Sequence, residues 1–174
     1  MRLTFFIVIF SNKGLFPAKK ELNLKKRPFR HMTTDCDKKH KKAPPSNYHL
    51  SIGSQTEQPI IVKREDLATH LKTGKVPFIS TAAMIVYMEQ CCVALIDPNL
   101  PVGYDSVSTE MNVRHLHTAK IGEEIICRAH LKFMEGKKLF FDVAMVNKRG
   151  ESIGIGAHER YIVCHKTFVD EHGG

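Results

Sequence analysis

The stretch TAAMIVYMEQCCVALI, Thr81–Ile96, holds sixteen residues and a single charge, Glu89. It is too long for an ordinary strand and apolar on all sides rather than along one stripe. That pattern predicts a helix buried inside its domain. A carboxylate in such a helix is poorly solvated, so it must find a partner or keep its proton. Groups of that kind collect at functional sites, although structural ion pairs produce them too. Ser80 or Thr81 is placed to cap the helix, with Pro77 just before it. Asp97-Pro98-Asn99 ends it, because proline cannot continue the hydrogen-bond ladder.

Working outward, the flanking sequence reads as strands. QPIIVK, Gln58–Lys63, is a short strand candidate. Arg64–Lys72 reads as a helical turn, broken by Thr73-Gly74-Lys75-Val76-Pro77. After the helix, Val107, Thr109, Met111, Val113 and His115 alternate with Ser108, Glu110, Asn112 and Arg114, so the first set shares one face. Ile125 to Phe133, Leu139 to Met145 and Ser152 to Cys164 alternate in the same way. The glycine-containing turns EGKK (135–138) and NKRG (147–150) connect them as antiparallel neighbours. One long helix with an antiparallel meander is an α+β domain.

The 174 residues suit one domain with an extension. The net charge of +8 is unevenly spread. Residues 1–50 carry 12 basic and 3 acidic side chains, while the remainder carries 14 basic and 15 acidic ones. The folded part is therefore nearly neutral, which argues against a nucleic-acid groove on it. Residues 1–48 read as a basic arm or targeting segment. Its start, MRLTFFIVIF, is free of acids and fits a mitochondrial presequence better than a secretory signal; its apolar run is far too short to span a bilayer. KKRPFR and KKHKKAPPS read as a solvated charge run and linker. The domain is placed at residues 49–166, with a flexible tail at 167–174. The location expected is intracellular, mitochondrial or cytoplasmic, with no membrane or nucleic-acid partner.

Cys36, Cys91, Cys92, Cys127 and Cys164 show no metal spacing, so they read as reduced, small apolar residues. No metal site or cofactor is expected. His115 shares its strand face with Met111 and Val113, the side that should press on the buried helix. An imidazole there can relay protons near pH 7 beside a carboxylate; a hydrogen-bonded core histidine is the bland alternative. Thr81 stands at the helix start, where free backbone N–H groups favour an anion, unless it serves only as the cap. Eight residues separate it from Glu89, roughly 12 Å along an ideal helix, so the two cannot touch. Arg160 reads equally as a ligand contact or as a strand-edge ion pair with Glu159 or another acid.

VPFISTAAMIVYMEQ (76–90), NVRHL (112–116) and the pattern GxGxHER (154–160) together resemble the fluoroacetyl-CoA thioesterase-like branch of the hotdog-fold thioesterases. The likeness covers roughly residues 50–165. It implies a hotdog fold, an antiparallel sheet wrapped around one long helix, in chains that pair as homodimers or higher homo-oligomers with acyl-CoA sites along the subunit interface. The family's catalytic threonine, glutamate and histidine fall on Thr81, Glu89 and His115, and its ligand-contacting arginine on Arg160. The family glycine whose backbone N–H meets the substrate corresponds to Ser108. Near Lys75-Val76 the family's aromatic lid is missing, which points away from fluoroacetyl selectivity and toward a short or otherwise small acyl-CoA. The expected activity is hydrolysis of that thioester to the free acid and coenzyme A. The alternatives are a non-catalytic acyl-CoA-binding or regulatory hotdog protein, an enoyl-CoA hydratase, and nucleic-acid binding through the arm.

Overall fold

The computed structural model describes residues 49–173; the basic arm at 1–48 lies outside them. Five strands form one sheet: β1 (Gln55–Ile61), β2 (Tyr104–His115), β3 (Glu124–Glu135), β4 (Lys138–Asn147) and β5 (Ser152–Cys164). Their spatial order is β1-β3-β4-β5-β2, and every neighbouring pair is antiparallel. The helix α1 (Thr81–Ile96) packs against β1, β2, β3 and β4. Sheet and long helix together make the expected hotdog arrangement.

Alternation in β3, β4 and β5 directs one set of side chains at the helix. Met84, Met88, Cys91, Cys92 and Ile96 are fully buried against Ile125, Leu131, Phe141, Met145, Ile153 and Ile162. Each such side chain contributes about 1.5–3 kcal/mol by leaving water, so this layer dominates the stability of the fold. Two inward positions on β5, Gly154 and Gly156, carry no side chain at all. A Cβ at Gly154 would meet the Met84 methyl, and one at Gly156 would stand 2.5 Å from the Asn112 carbonyl oxygen. These glycines let the helix and β2 approach β5 closely.

Four local readings need correction. The helix is not buried on all sides: Thr81, Ala82, Gln90 and Ala94 are exposed and Val86 is 50% exposed, because one sheet covers only one side of it. β1 begins at Gln55 and stops at Ile61, and only Arg64–Asp66 forms a helical turn. A bulge in β2 between Ser108 and Glu110 absorbs Thr109. The extra residue resets the alternation, so Ser106 and Ser108 join the face of Met111, Val113 and His115 while Thr109 turns to Glu159. Finally, Cys91, Cys92 and Cys127 are free and buried as read, whereas Cys164 is disulfide-bonded.

Beyond β5 the chain forms a second helix, α2 (His165–His172), where a tail was expected from residue 167. Among the described residues no helix is long and apolar enough to cross a membrane.

Candidate active site

The start of α1 is built by several fixed points. The Ser80 side chain accepts a hydrogen bond from the Ala83 N–H at 3.0 Å, so Ser80, not Thr81, is the cap. The Ser80 N–H in turn donates to the Asp66 carbonyl, and the Tyr87 hydroxyl donates to the Asp66 carboxylate at 2.8 Å. Burial and that carboxylate push the Tyr87 phenol up to about 12, keeping it protonated. With Ser80 capping, the Thr81 hydroxyl is released to another partner. It lies 3.0 Å from His115 Nδ1, a hydrogen bond between residues 34 apart in sequence.

His115 ends β2, and the chain after it is tied down by the Leu116 and His117 N–H groups, both donating to the Ile153 carbonyl. His117 Nδ1–H donates to the Ser152 carbonyl, so this second histidine is a tethered surface group. Thr81 and His115 are both exposed to solvent. The Thr81 and Ala82 N–H groups, which no helical carbonyl can reach, take no hydrogen bond among the described residues. Thr81, His115 and these two donors converge on one rim where an oxyanion and a transferable proton can be served together.

Glu89 is half-buried, two turns further along α1, and forms no hydrogen bond or ion pair with His115 within one chain. The helical separation foreseen for Thr81 and Glu89 accounts for this. Glu89 instead shares its field with Cys92, His158 and Arg160. Burial pushes the Cys92 thiol up to about 12, so it stays a neutral core group.

Arg160 is 6% exposed and therefore sits inside the domain. Its Nε–H donates to Ser106 Oγ at 3.0 Å and an Nη2–H to the Ser106 carbonyl at 2.7 Å. An Nη1–H reaches His158 Nε2 at 3.3 Å. Glu159 points the other way, to Lys138 and Thr109, which removes it as the partner of Arg160. Ser108 is exposed and opposite Arg160 in the β2–β5 register, at the edge of the bulge. The sequence reading assigned nothing to Ser106 or His158. Parity in GxGxHER already put 158 beside 160 on one face; Ser106 was hidden because the bulge breaks the alternation.

A shallow groove of about 560 Å³ lies on the opposite sheet face, lined by Arg114, Arg128, His130, Asp142 and Ile155 among others. It contains none of these groups, and convergent polar chemistry locates the site better than volume does. Among the described residues no set of three His, Cys, Asp or Glu could hold a metal ion.

The sequence profile of the fluoroacetyl-CoA-specific thioesterase family matches residues 62–166. The chain belongs to that family. It is 26% identical over 125 residues to the fluoroacetyl-CoA thioesterase of Streptantibioticus cattleyicolor, covering 68% of this chain and 89% of the relative. Over a shorter span of 62 residues it is 40% identical to acyl-coenzyme A thioesterase 13 of Mus musculus, covering 34% of this chain and 44% of that one. A solved variant of the fluoroacetyl-CoA-specific thioesterase FlK, in complex with fluoroacetate and CoA, superposes with a TM-score of 0.63 at 26% identity. That superposition covers 68% of this chain and 99% of the FlK chain.

Proposed function

We propose that the protein hydrolyses the thioester of a short or small acyl-CoA to the free acid and coenzyme A. The observation that carries this reading is the Thr81–His115 hydrogen bond beside two unpaired amides at a helix start. In the proposed reaction, Glu89 serves as base toward water or attacks as a nucleophile. As base, it takes a proton from water while the oxygen adds to the carbonyl carbon. The oxyanion is met by the Thr81 and Ala82 amides and oriented by the Thr81 hydroxyl. As the carbon–sulfur bond breaks, His115 gives a proton to the departing thiolate and recovers one from protonated Glu89 through water. The acid product releases its remaining proton to solvent, so both groups are restored. Ser108 offers its backbone N–H to the acyl group, and Arg160 supplies a buried positive charge at the acyl end. Its depth favours that role over contact with the phosphates of coenzyme A.

Glu89 and His115 do not meet within one chain, and a second copy resolves this. Among the described residues β2 is an edge strand of twelve residues with a partner on one side only, the kind of edge that recruits another strand. Two-fold antiparallel pairing over its full length sets His115 of one copy against Tyr104 of the other. Ser106 and the Arg160 network lie beside that point, and the charge of Glu89 acts on Arg160. The proposed unit is thus a homodimer, or a higher oligomer built from it, with each site shared. The exposed Val76, in a position without an aromatic lid, supports an acyl preference broader than fluoroacetyl. The proposed location is mitochondrial or cytoplasmic, resting on the basic, acid-free start of the chain.

Coenzyme A release across a panel from acetyl- to long-chain acyl-CoA tests the activity and its chain-length range. Turnover concentrated on the small members supports the reading. Tight binding with no release across the panel would replace it with a non-catalytic binding protein.

A further inference from the structure

Buried cations are rare and are normally paired with a carboxylate. Arg160 has no carboxylate within ion-pair distance among the described residues. Three donors are nevertheless used with directed geometry, on both oxygens of Ser106 and on His158. His158 is 2% exposed, and its ring is itself fixed because Nδ1–H donates to the Glu110 carbonyl at 2.8 Å. Since Nδ1 carries the proton and Nε2 accepts from Arg160, the imidazole is held as one neutral tautomer. Burial first, and the neighbouring guanidinium with it, lowers the His158 pKa and keeps that form.

The charges that act on Arg160 are those of Glu89, Asp105 and Asp97, with the Cys92 thiol. Glu89 and Cys92 belong to the second half of α1, and Arg160 is anchored on β5 beneath the core that covers it. That end of the helix carries partial negative charge and has no basic residue in its last turn. A guanidinium anchored from the sheet can supply positive charge that the helix itself lacks, and Glu89 also acts on the His158 ring.

We propose that Ser106 and His158 are positioning residues: they hold the Arg160 guanidinium as a fixed positive charge facing the Glu89 carboxylate. This rests on the thioesterase reading for its link to turnover, because Glu89 is the base or nucleophile of that reaction. The charge itself needs no substrate to be in place. Without these three anchors the guanidinium would be free to swing, and the field at Glu89 would vary with it.

Two measurements on the full chain test the proposal. In steady-state kinetics, His158→Phe removes the acceptor and is expected to lower kcat at least about tenfold with KM within about twofold. His158→Gln keeps an acceptor oxygen near the Nε2 position and is expected to recover most of kcat; Ser106→Ala is expected to fall between them. A folded His158→Phe protein with unchanged kcat, or with loss confined to KM, overturns the proposal. If His158→Phe fails to fold, Ser106→Ala carries the kinetic test.

NMR titration of the His158 ring needs no turnover. Glu89→Gln removes a negative neighbour and is expected to lower the midpoint further below the wild-type value, whereas Arg160→Met is expected to raise it. A midpoint unmoved by Glu89→Gln overturns the proposal whatever the kinetics show. A wild-type protein that releases no coenzyme A while that midpoint moves sinks the thioesterase reading and leaves the arrangement of charges standing.

Discussion

The Thr81 hydroxyl and His115 Nδ1 lie 3.0 Å apart, joining the first turn of the helix to the last residue of an edge strand. The contact exists because Ser80 takes the capping task one residue earlier. It leaves His115 Nε2 without a partner among the described residues, free to exchange a proton with a substrate.

Removing the Thr81 hydroxyl should therefore disturb the histidine as well as the carbonyl. Thr81→Val is expected to cost about 1.5–3 kcal/mol of barrier, roughly ten- to a hundredfold in kcat/KM. The double variant with His115→Ala should lose less than the product of the two single losses, as groups acting as one unit do. Measured kcat/KM for the three proteins checks this; simple multiplication of the losses would separate the two residues.

Sharing of the site between copies has a sharper consequence. Glu89→Gln and His115→Ala chains are each expected to be nearly inactive alone. Co-expressed in equal amounts, half of the dimers would be mixed, and each mixed dimer would have one intact site. Activity should return to about a quarter of wild type. No recovery in mixed dimers would place both groups of a site in the same chain.

The two glycines of GxGxHER should differ in tolerance. Gly156→Ala drives a methyl against the Asn112 carbonyl, which is backbone and cannot swing away, at a cost of about 1–3 kcal/mol. Gly154→Ala meets chiefly the mobile end of Met84 and should cost less. Denaturant midpoints of the two variants give the order.

Stability should fall on the acid side. The His158 pKa is lowered from its ordinary 6.5 by burial, so the unfolded chain binds a proton there before the folded one does. Its contribution is complete above about pH 6.5 and is lost as the pH falls from there toward the lower folded-state value. Chemical denaturation at pH 7 and pH 5 should show this drop, and a smaller one in His158→Gln. Equal drops in both proteins would mean that the ring is not held neutral.

Much of this was legible in the residues. The sixteen-residue helix, its ends and the four later strands follow from period and punctuation, because burial on one face imposes alternation. Glu89 and His115 stood out as polar groups on apolar faces, and Thr81 by its place at the helix start. What the sequence hid has two causes. A bulge of one residue at Thr109 reverses strand parity upstream of it, concealing Ser106 and misplacing Ser108. The exposed side of the helix, at Val86, depends on how much surface one sheet can cover, which no local pattern records.

The most direct test of the account is the rate of coenzyme A release from acetyl-CoA by the wild-type protein and by Glu89→Gln. The account predicts saturable turnover by the wild type and a fall in kcat of about 10²–10⁴-fold in the variant, with its fold intact. Wild-type turnover that survives Glu89→Gln unchanged would contradict it.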